Sequence, residues 1–467
     1  MLNSSLIASV LLVAMRPLGA QAQCQRAKLL AEDGATDDLF GCSVAISDNV
    51  AIVGAHRNAL TGAAYVYERS GSAWEFVARL VNDGAAGGSH VGWSVAVEGD
   101  LAVIGATGTW TGVFQRLGTG WSQVARLRPD DFTPGSLFGR TVALSGERSV
   151  VGAPHDDDNG VESGSAYVFE RDPNGAWPQV AKLLPSDGQY GDRFGLALAI
   201  DVDVVAVGAP DDDDLGNWSG SAYVFERDPS GAWLQTAKLL PHDGTFFWRF
   251  GTSVAVRNGL ILVGADHARG VRYYSGAVYV FERDPDGVWS ETAKLMPSDG
   301  QTSDAFGRSV AFDGSVAVIG APWNQRTTCG AVYVFTQEAN GAWSEIAKLT
   351  PSDGDYHDEF GCSVSISGNT AVIGAYFDDD QGTDSGSAYV FAVGPDEDAN
   401  GVMDPCEECL GDLDGDQDVD LADLAELLSN YGTAQGAQYP DGDLDADGDV
   451  DVEDLETLLG HYREVCR

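Results

Sequence analysis

Near the C-terminus, Asp412, Asp414, Asp416, Asp418, Asp420 and Asp423 recur 31 residues later as Asp443, Asp445, Asp447, Asp449, Asp451 and Asp454. A calcium ion takes roughly six to eight hard oxygens, and a tight twelve-residue loop supplies them from carboxylates at positions 1, 3, 5, 9 and 12 and a backbone carbonyl at position 7. Both runs match that spacing, which leaves the side chains of Asp418 and Asp449 facing solvent. Gly448 provides the sharp turn at position 6 of the second loop, whereas Gln417 stands there in the first and weakens it. A further oxygen-rich stretch, Asp396, Asp398, Asn400 and Asp404 around Gly401, reads either as a single calcium loop or as an acidic linker.

Each duplicated loop runs into a segment with apolar residues at helical spacing. Leu424, Leu427, Leu428 and Tyr431 stripe the first, which ends at Gly432; Leu455, Leu458, Leu459 and Tyr462 stripe the second. The two stripes are expected to pack on each other, with calcium neutralising charge that otherwise keeps the segment unfolded. Residues 395–410 form a linker and 411–467 a small helical module. Cys406, Cys409 and Cys466 bracket this region, so one bridge between its ends is expected.

The net charge of -44 is unevenly placed: residues 395–467 hold 23 acidic side chains against two arginines. Nucleic acid and anionic membrane surfaces, which need a basic footprint, are poor partners for such a chain. The N-terminus has an apolar run from Leu6 to Met15 and the small-residue pattern Ala20-Gln21-Ala22, so residues 1–22 read as a secretory signal cleaved before Gln23. An extracellular protein is expected.

The rest of the chain is repetitive. Phe40, Val91, Phe138, Phe194, Phe250, Phe306 and Phe360 are each answered fourteen residues later by a glycine: Gly54, Gly105, Gly152, Gly208, Gly264, Gly320 and Gly374. Within each repeat, four short runs rich in Val, Tyr, Phe and Ala are bounded by Gly, Pro or Asp, and these predict four antiparallel strands. Tyr-Val-Phe and Trp-to-Leu segments recur with the same period, which assigns their aromatics to packing between repeats. The seventh repeat stops at Phe391 without a fourth strand, while Ala27-Lys28-Leu29 is a fourth strand with no repeat of its own. Joining the two closes a ring of seven blades and hides the free edges. Cys42 and Cys362 hold the same position in the first and seventh repeats, and either bond or remain small buried thiols.

The pairs Phe138-Gly139 with Gly152-Ala153-Pro154, Phe194-Gly195 with Gly208-Ala209-Pro210 and Phe306-Gly307 with Gly320-Ala321-Pro322 resemble FG-GAP repeats. The resemblance covers residues 24–394 and implies the seven-bladed β-propeller of integrin alpha chains and many bacterial secreted proteins, placed here at 23–394. The acidic calcium loop of integrin-type repeats is replaced by tight turns such as Ser47-Asp48-Asn49 and Asp313-Gly314, so the family's propeller calcium sites are not carried over. The duplicated loop and helix at 411–464 is similar to a type I dockerin, and the stretch Asp396–Asp404 to thrombospondin type 3 loops. The dockerin resemblance implies a cohesin partner. However, the polar pair usual at loop positions 10 and 11 is replaced by Leu421-Ala422 and Val452-Glu453, which leaves autonomous calcium-dependent stabilisation or surface attachment as equal alternatives.

Antiparallel alternation puts the connections from strand two to three, and from strand four to the next blade, on one face. Acid collects there: Asp156–Asp158, Asp211–Asp214 and Asp378–Asp380 in the first set; Asp187, Asp192, Asp299, Asp304, Asp353 and Asp358 in the second. These side chains are either a recognition surface or a solvated rim that caps turns. Trp218, Phe246, Phe247, Trp248, Tyr273 and Tyr274 lie in the same loops and suit a sugar or a protein. No Gly-x-Ser-x-Gly elbow, His-Glu-x-x-His or phosphate-cradling glycine loop is present, and the seven histidines are not clustered at ligand spacing. The expected protein is a monomeric, secreted, calcium-binding, non-catalytic recognition or adhesion protein that binds a protein or polysaccharide. The alternative is a polysaccharide-degrading enzyme, a glycoside hydrolase or lyase, or an accessory subunit carried by the dockerin-like tail.

Overall fold

The computed structural model describes residues 25–394 apart from 72, 108, 109, 325 and 339, together with 421–432, 450, 452, 455, 458 and 459. Among these residues the chain forms seven four-stranded antiparallel sheets. Blade four shows the pattern: Ala197–Asp201, Val204–Ala209, Ser221–Arg227 and Trp233–Leu239, hydrogen-bonded in that order. Blade seven takes its fourth strand from the start of the chain, Gln25–Leu29 pairing antiparallel with Ser387–Ala392 through Lys28 opposite Tyr389. In blade three the expected strand from Trp177 begins only at Gln179, because Pro178 has no N–H to give the ladder.

The core lies between blades. Alternate residues of a strand face opposite neighbours, so Val205, Val207 and Tyr223 pack toward blade three while Ala206, Ala222 and Val224 pack toward blade five. Seven such clusters follow one another round the ring, and the one joining Val390 to Val53 and Tyr65 closes it. Each repeat's leading phenylalanine meets its own blade's aromatics edge-on; Phe250 lies 5.6 Å from Tyr279 and 6.0 Å from Phe281.

The glycines of the motif are explained by the joints between blades. Phe250 N–H donates to Ser219 O at 3.0 Å, and Gly220 forms a parallel bridge with Phe250. Gly220 has φ +79, and a Cβ there would stand 2.1 Å from the Phe250 carbonyl oxygen. On the other side of the same joint, a Cβ on Gly208 would stand 2.0 Å from the Gly251 oxygen. Any side chain would push the blades apart.

In the tail, Leu421–Asn430 is helical and Gly432 follows with φ +90. Leu427, Val450 and Leu458 are buried, whereas Leu428, Tyr431 and Leu459 of the expected stripes are exposed. Asp423 falls within this helix. The remaining expected calcium ligands (Asp412, Asp414, Asp416, Asp418, Asp420, Asp443, Asp445, Asp447, Asp449, Asp451, Asp454, Asp396, Asp398, Asn400 and Asp404), residues 1–22, Tyr462 and the cysteines 24, 406, 409 and 466 lie outside the described residues.

Candidate recognition face

The acidic loops are mostly committed to holding the blades. In blade four the four consecutive aspartates have separate tasks. Asp212 accepts from Tyr223 Oη at 2.9 Å and from Lys238 Nζ at 3.1 Å. Asp214 lies 2.5 Å from the same ammonium. Asp213 accepts the Trp218 backbone N–H at 2.8 Å, and Asp211 alone turns toward two arginines. Asp187, on the connection entering the blade, completes the cluster with Lys238 at 2.8 Å and Tyr223 at 2.9 Å.

The arrangement recurs with Lys182 among Asp131, Asp156 and Asp158, and with Lys28 among Asp353, Asp378 and Asp380. Elsewhere it is trimmed: Lys348 meets Asp299 and Asn324, Lys294 meets Asp243, and Arg79 meets Asp33 and Asn58. Burial pushes the Asp187 and Asp353 carboxyls upward, but hydrogen bonds from the lysine and tyrosine outweigh it and hold both below the usual carboxylate range.

A second set of aspartates caps turns. Asp192, Asp304 and Asp358 are buried and accept the backbone N–H three residues earlier, from Gln189, Gln301 and Asp355 at 2.6–2.7 Å. With little solvent around it, Asp192 has its pKa pushed up to about 6, and so has Asp358. For these residues the choice between recognition surface and fold falls on the fold.

Three positions in each repeat are different. The residue just before each Phe-Gly or Val-Gly pair is held at φ near +55 and reads Leu39, His90, Leu137, Arg193, Arg249, Ala305 and Glu359 round the ring. The residue equivalent to Asp211 reads Arg57, His155, His267, Trp323 and Phe377 in blades one, three, five, six and seven. The residue equivalent to Trp218, also at positive φ, reads Leu60, Glu162, Tyr274, Thr328 and Asp384 in the same five blades. Bulky side chains in the left-handed region are strained by about 1 kcal/mol or more each, and such strain concentrates at functional positions.

Eight of these residues, Glu162, Arg193, Asp211, Trp218, Arg249, His267, Tyr274 and Trp323, converge on one cleft of about 730 Å³, which Tyr190, Gly191, Phe247 and Ser303 also line. Its volume falls within the range of ligand sites, about 300–1,000 Å³. Arg193 Nη1 lies 3.0 Å from Asp211 Oδ2, Arg249 Nε lies 3.6 Å from Asp211 Oδ1, and Arg193 Nη2 lies 3.4 Å from Glu162 Oε2. Burial raises the Asp211 pKa, and the two guanidiniums oppose that rise. Trp218 is 53% exposed and meets Phe247 edge-on at 5.3 Å; Tyr190 is 78% exposed.

Of the aromatics expected on this face, Trp218, Phe247 and Tyr274 line the cleft, and Phe246 and Tyr273 are exposed beside it. Trp248 is not a surface residue: it is 8% exposed, packs in the core between blades four and five, and lies beneath the Lys294 ammonium at 5.1 Å. Sequence reasoning did not single out Tyr190, Arg193, Arg249, His267 or Trp323 for this face. Their signal was available as positions that change from repeat to repeat while their neighbours stay fixed.

Two of the histidines, unclustered by spacing, do meet: the His56 and His90 rings lie 5.8 Å apart, both against Trp93. Among the described residues no group of three His, Cys, Asp or Glu side chains is disposed to hold a metal. Cys42 and Cys362 are free thiols that donate to backbone carbonyls. Among the described residues no helix is long and apolar enough to cross a membrane.

A family model described as FG-GAP repeat matches residues 24–67, 74–112, 121–169, 177–225, 233–281, 289–335 and 343–391. The chain belongs to the FG-GAP repeat family. Each match in this FG-GAP protein ends within or just after the third strand of a blade, so the family unit straddles the joints described above. No curated protein matches the chain. Among solved structures it is similar to a chain of a mitotic checkpoint complex, at 12% identity and TM-score 0.51, covering 84% of this chain and all of that one. It also matches the computationally designed protein Ika8, at 16% identity and TM-score 0.44, covering 79% of this chain and all of that one. The first likeness shows the fold alone.

Proposed function

We propose that this FG-GAP protein is a secreted, non-catalytic recognition or adhesion protein whose ligand, a protein or a polysaccharide, docks on the face of blades three to six. The observation that carries this reading is the division of labour on that face. Lys238, Tyr223, Asp187 and Asp212 recur in kind round the ring and hold it together, while Arg193, Asp211, Trp218 and Arg249 belong to positions that change from blade to blade and converge on the cleft. Loops held on a rigid scaffold can change their exposed residues without disturbing the fold. The duplicated aspartate loops support a dockerin-like tail that binds two calcium ions, with a third ion in the linker, and attaches the protein through a cohesin-type or other extracellular partner.

The test is capture on protein and glycan arrays by the full chain, with and without a chelator. Ligand capture abolished by Arg193→Ala with Trp218→Ala, but retained with chelator, assigns recognition to the propeller. Capture of cohesin domains that disappears with chelator assigns attachment to the tail. Absence of any captured ligand, or hydrolysis of a polysaccharide by the purified chain, would overturn the recognition reading.

A further inference from the structure

We infer that the cleft of blades three to six binds an uncharged polysaccharide chain, a conclusion that rests on the recognition reading above. Its charged groups are already matched. Two guanidiniums, Arg193 and Arg249, are matched by two carboxylates: Arg193 pairs with Asp211 at 3.0 Å and with Glu162 at 3.4 Å, and Arg249 pairs with Asp211 at 3.6 Å. An anionic ligand would meet guanidiniums already neutralised by Asp211 and Glu162 on a chain of net charge -44, and a cationic ligand would meet carboxylates already neutralised by Arg193 and Arg249. Neither ligand finds an uncompensated charge in the cleft.

Vicinal hydroxyls need none. Each donates and accepts, so a sugar ring can bridge the guanidinium N–H groups and the carboxylate oxygens while the ion pair stays intact. The apolar requirement is met in the same place. Tyr190, Trp218, Phe247, Tyr274 and Trp323 present ring surface from successive blades, and pyranose rings offer C–H faces that pack on it. Lining from four blades suits several linked sugars rather than one.

The test is calorimetry of the full chain with glucose, mannose and xylose hexaoses, with hexagalacturonate, and with a peptide library. The inference expects a neutral hexaose to bind with a Kd that changes less than twofold between 50 and 500 mM NaCl, since no net charge is neutralised. Trp218→Ala and Tyr190→Ala should each weaken it about tenfold, the equivalent of 1.4 kcal/mol. Leu60→Ala, at the position of Trp218 on blade one, should leave it unchanged. Trp218→Gly removes the ring at a φ of +55 that glycine adopts freely, so a folded variant is in hand if alanine perturbs the loop. Salt-sensitive binding of hexagalacturonate, or peptide binding at the cleft without any hexaose, overturns the neutral-glycan inference and leaves the recognition reading standing. No binding in any arm removes both.

Discussion

Lys28 Nζ lies 2.8 Å from Asp353 Oδ2 across 325 positions of sequence. The same ammonium reaches Asp378, which is almost fully enclosed, so the two ends of the propeller are held by a cation at the seam as well as by the ladder between Gln25–Leu29 and Ser387–Ala392. Lys28→Met should lower the unfolding free energy by about 2–3 kcal/mol in urea, because Asp378 would keep its burial and lose its counter-charge. Deleting residues 25–30 should cost far more and expose the edge of Ser387–Ala392 to self-association. Unchanged denaturation midpoints would show that the seam carries no stability.

The joints between blades predict a contrast among glycines of similar backbone. Gly220→Ala places a Cβ against the Phe250 backbone as well as straining φ, and should cost upwards of about 3 kcal/mol. Gly71→Ala, at φ +61 but with nothing within 4 Å, should cost only about 1 kcal/mol. Equal losses for the two in thermal unfolding would contradict the assigned role of the motif glycines.

Two groups of aspartates titrate with opposite sign. Asp192 and Asp358, raised to about 6, hold their protons more tightly in the folded chain. Their contribution is therefore complete below the unfolded value of about 4 and lost as pH rises through 6. Asp131, Asp187, Asp243, Asp299 and Asp353 are lowered, so their contribution is present above about pH 4 and lost as pH falls through their folded values. The propeller's Tm should therefore peak near pH 4, fall as pH rises to about 6 and then level off, and fall again as pH drops below about 4. A Tm still climbing from pH 6 to 8 would contradict this.

Burial pushes the Cys42 thiol up to about 11 and the Cys362 thiol up to about 12. Both should resist iodoacetamide at pH 8 in the native protein and react on unfolding, because the thiolate is the nucleophile. Peptide mapping by mass spectrometry reads this directly, and rapid native labelling would refute it.

Calcium titration of the full chain should show at least two ions, the loop bearing Gln417 filling after the loop bearing Gly448. Asp414→Ala and Asp445→Ala should each remove one ion. A titration without heat or change in helix content would exclude the paired-loop reading of the tail.

Repeat number, four-strand pattern and ring closure were legible in the sequence because they depend on local rules. Period-two apolar runs make strands, and Phe40–Gly54 to Phe360–Gly374 fix one interval seven times. The orphan Ala27-Lys28-Leu29 could then be placed on blade seven by counting alone. The roles of the aspartates were not legible, because Asp211, Asp212, Asp213 and Asp214 are identical residues in a row whose partners differ: Asp213 holds its own loop, while the other three reach lysine or arginine on other elements. Asp212 finds Lys238 after 26 positions, while Asp211 meets Arg193 and Arg249 from two different connections. The blades follow from the sequence, whereas their closure into a ring selects which carboxylates become internal counter-ions and which side chains line the cleft. Burial and ion pairing depend on distances between loops, and those distances exist only once seven sheets share an axis.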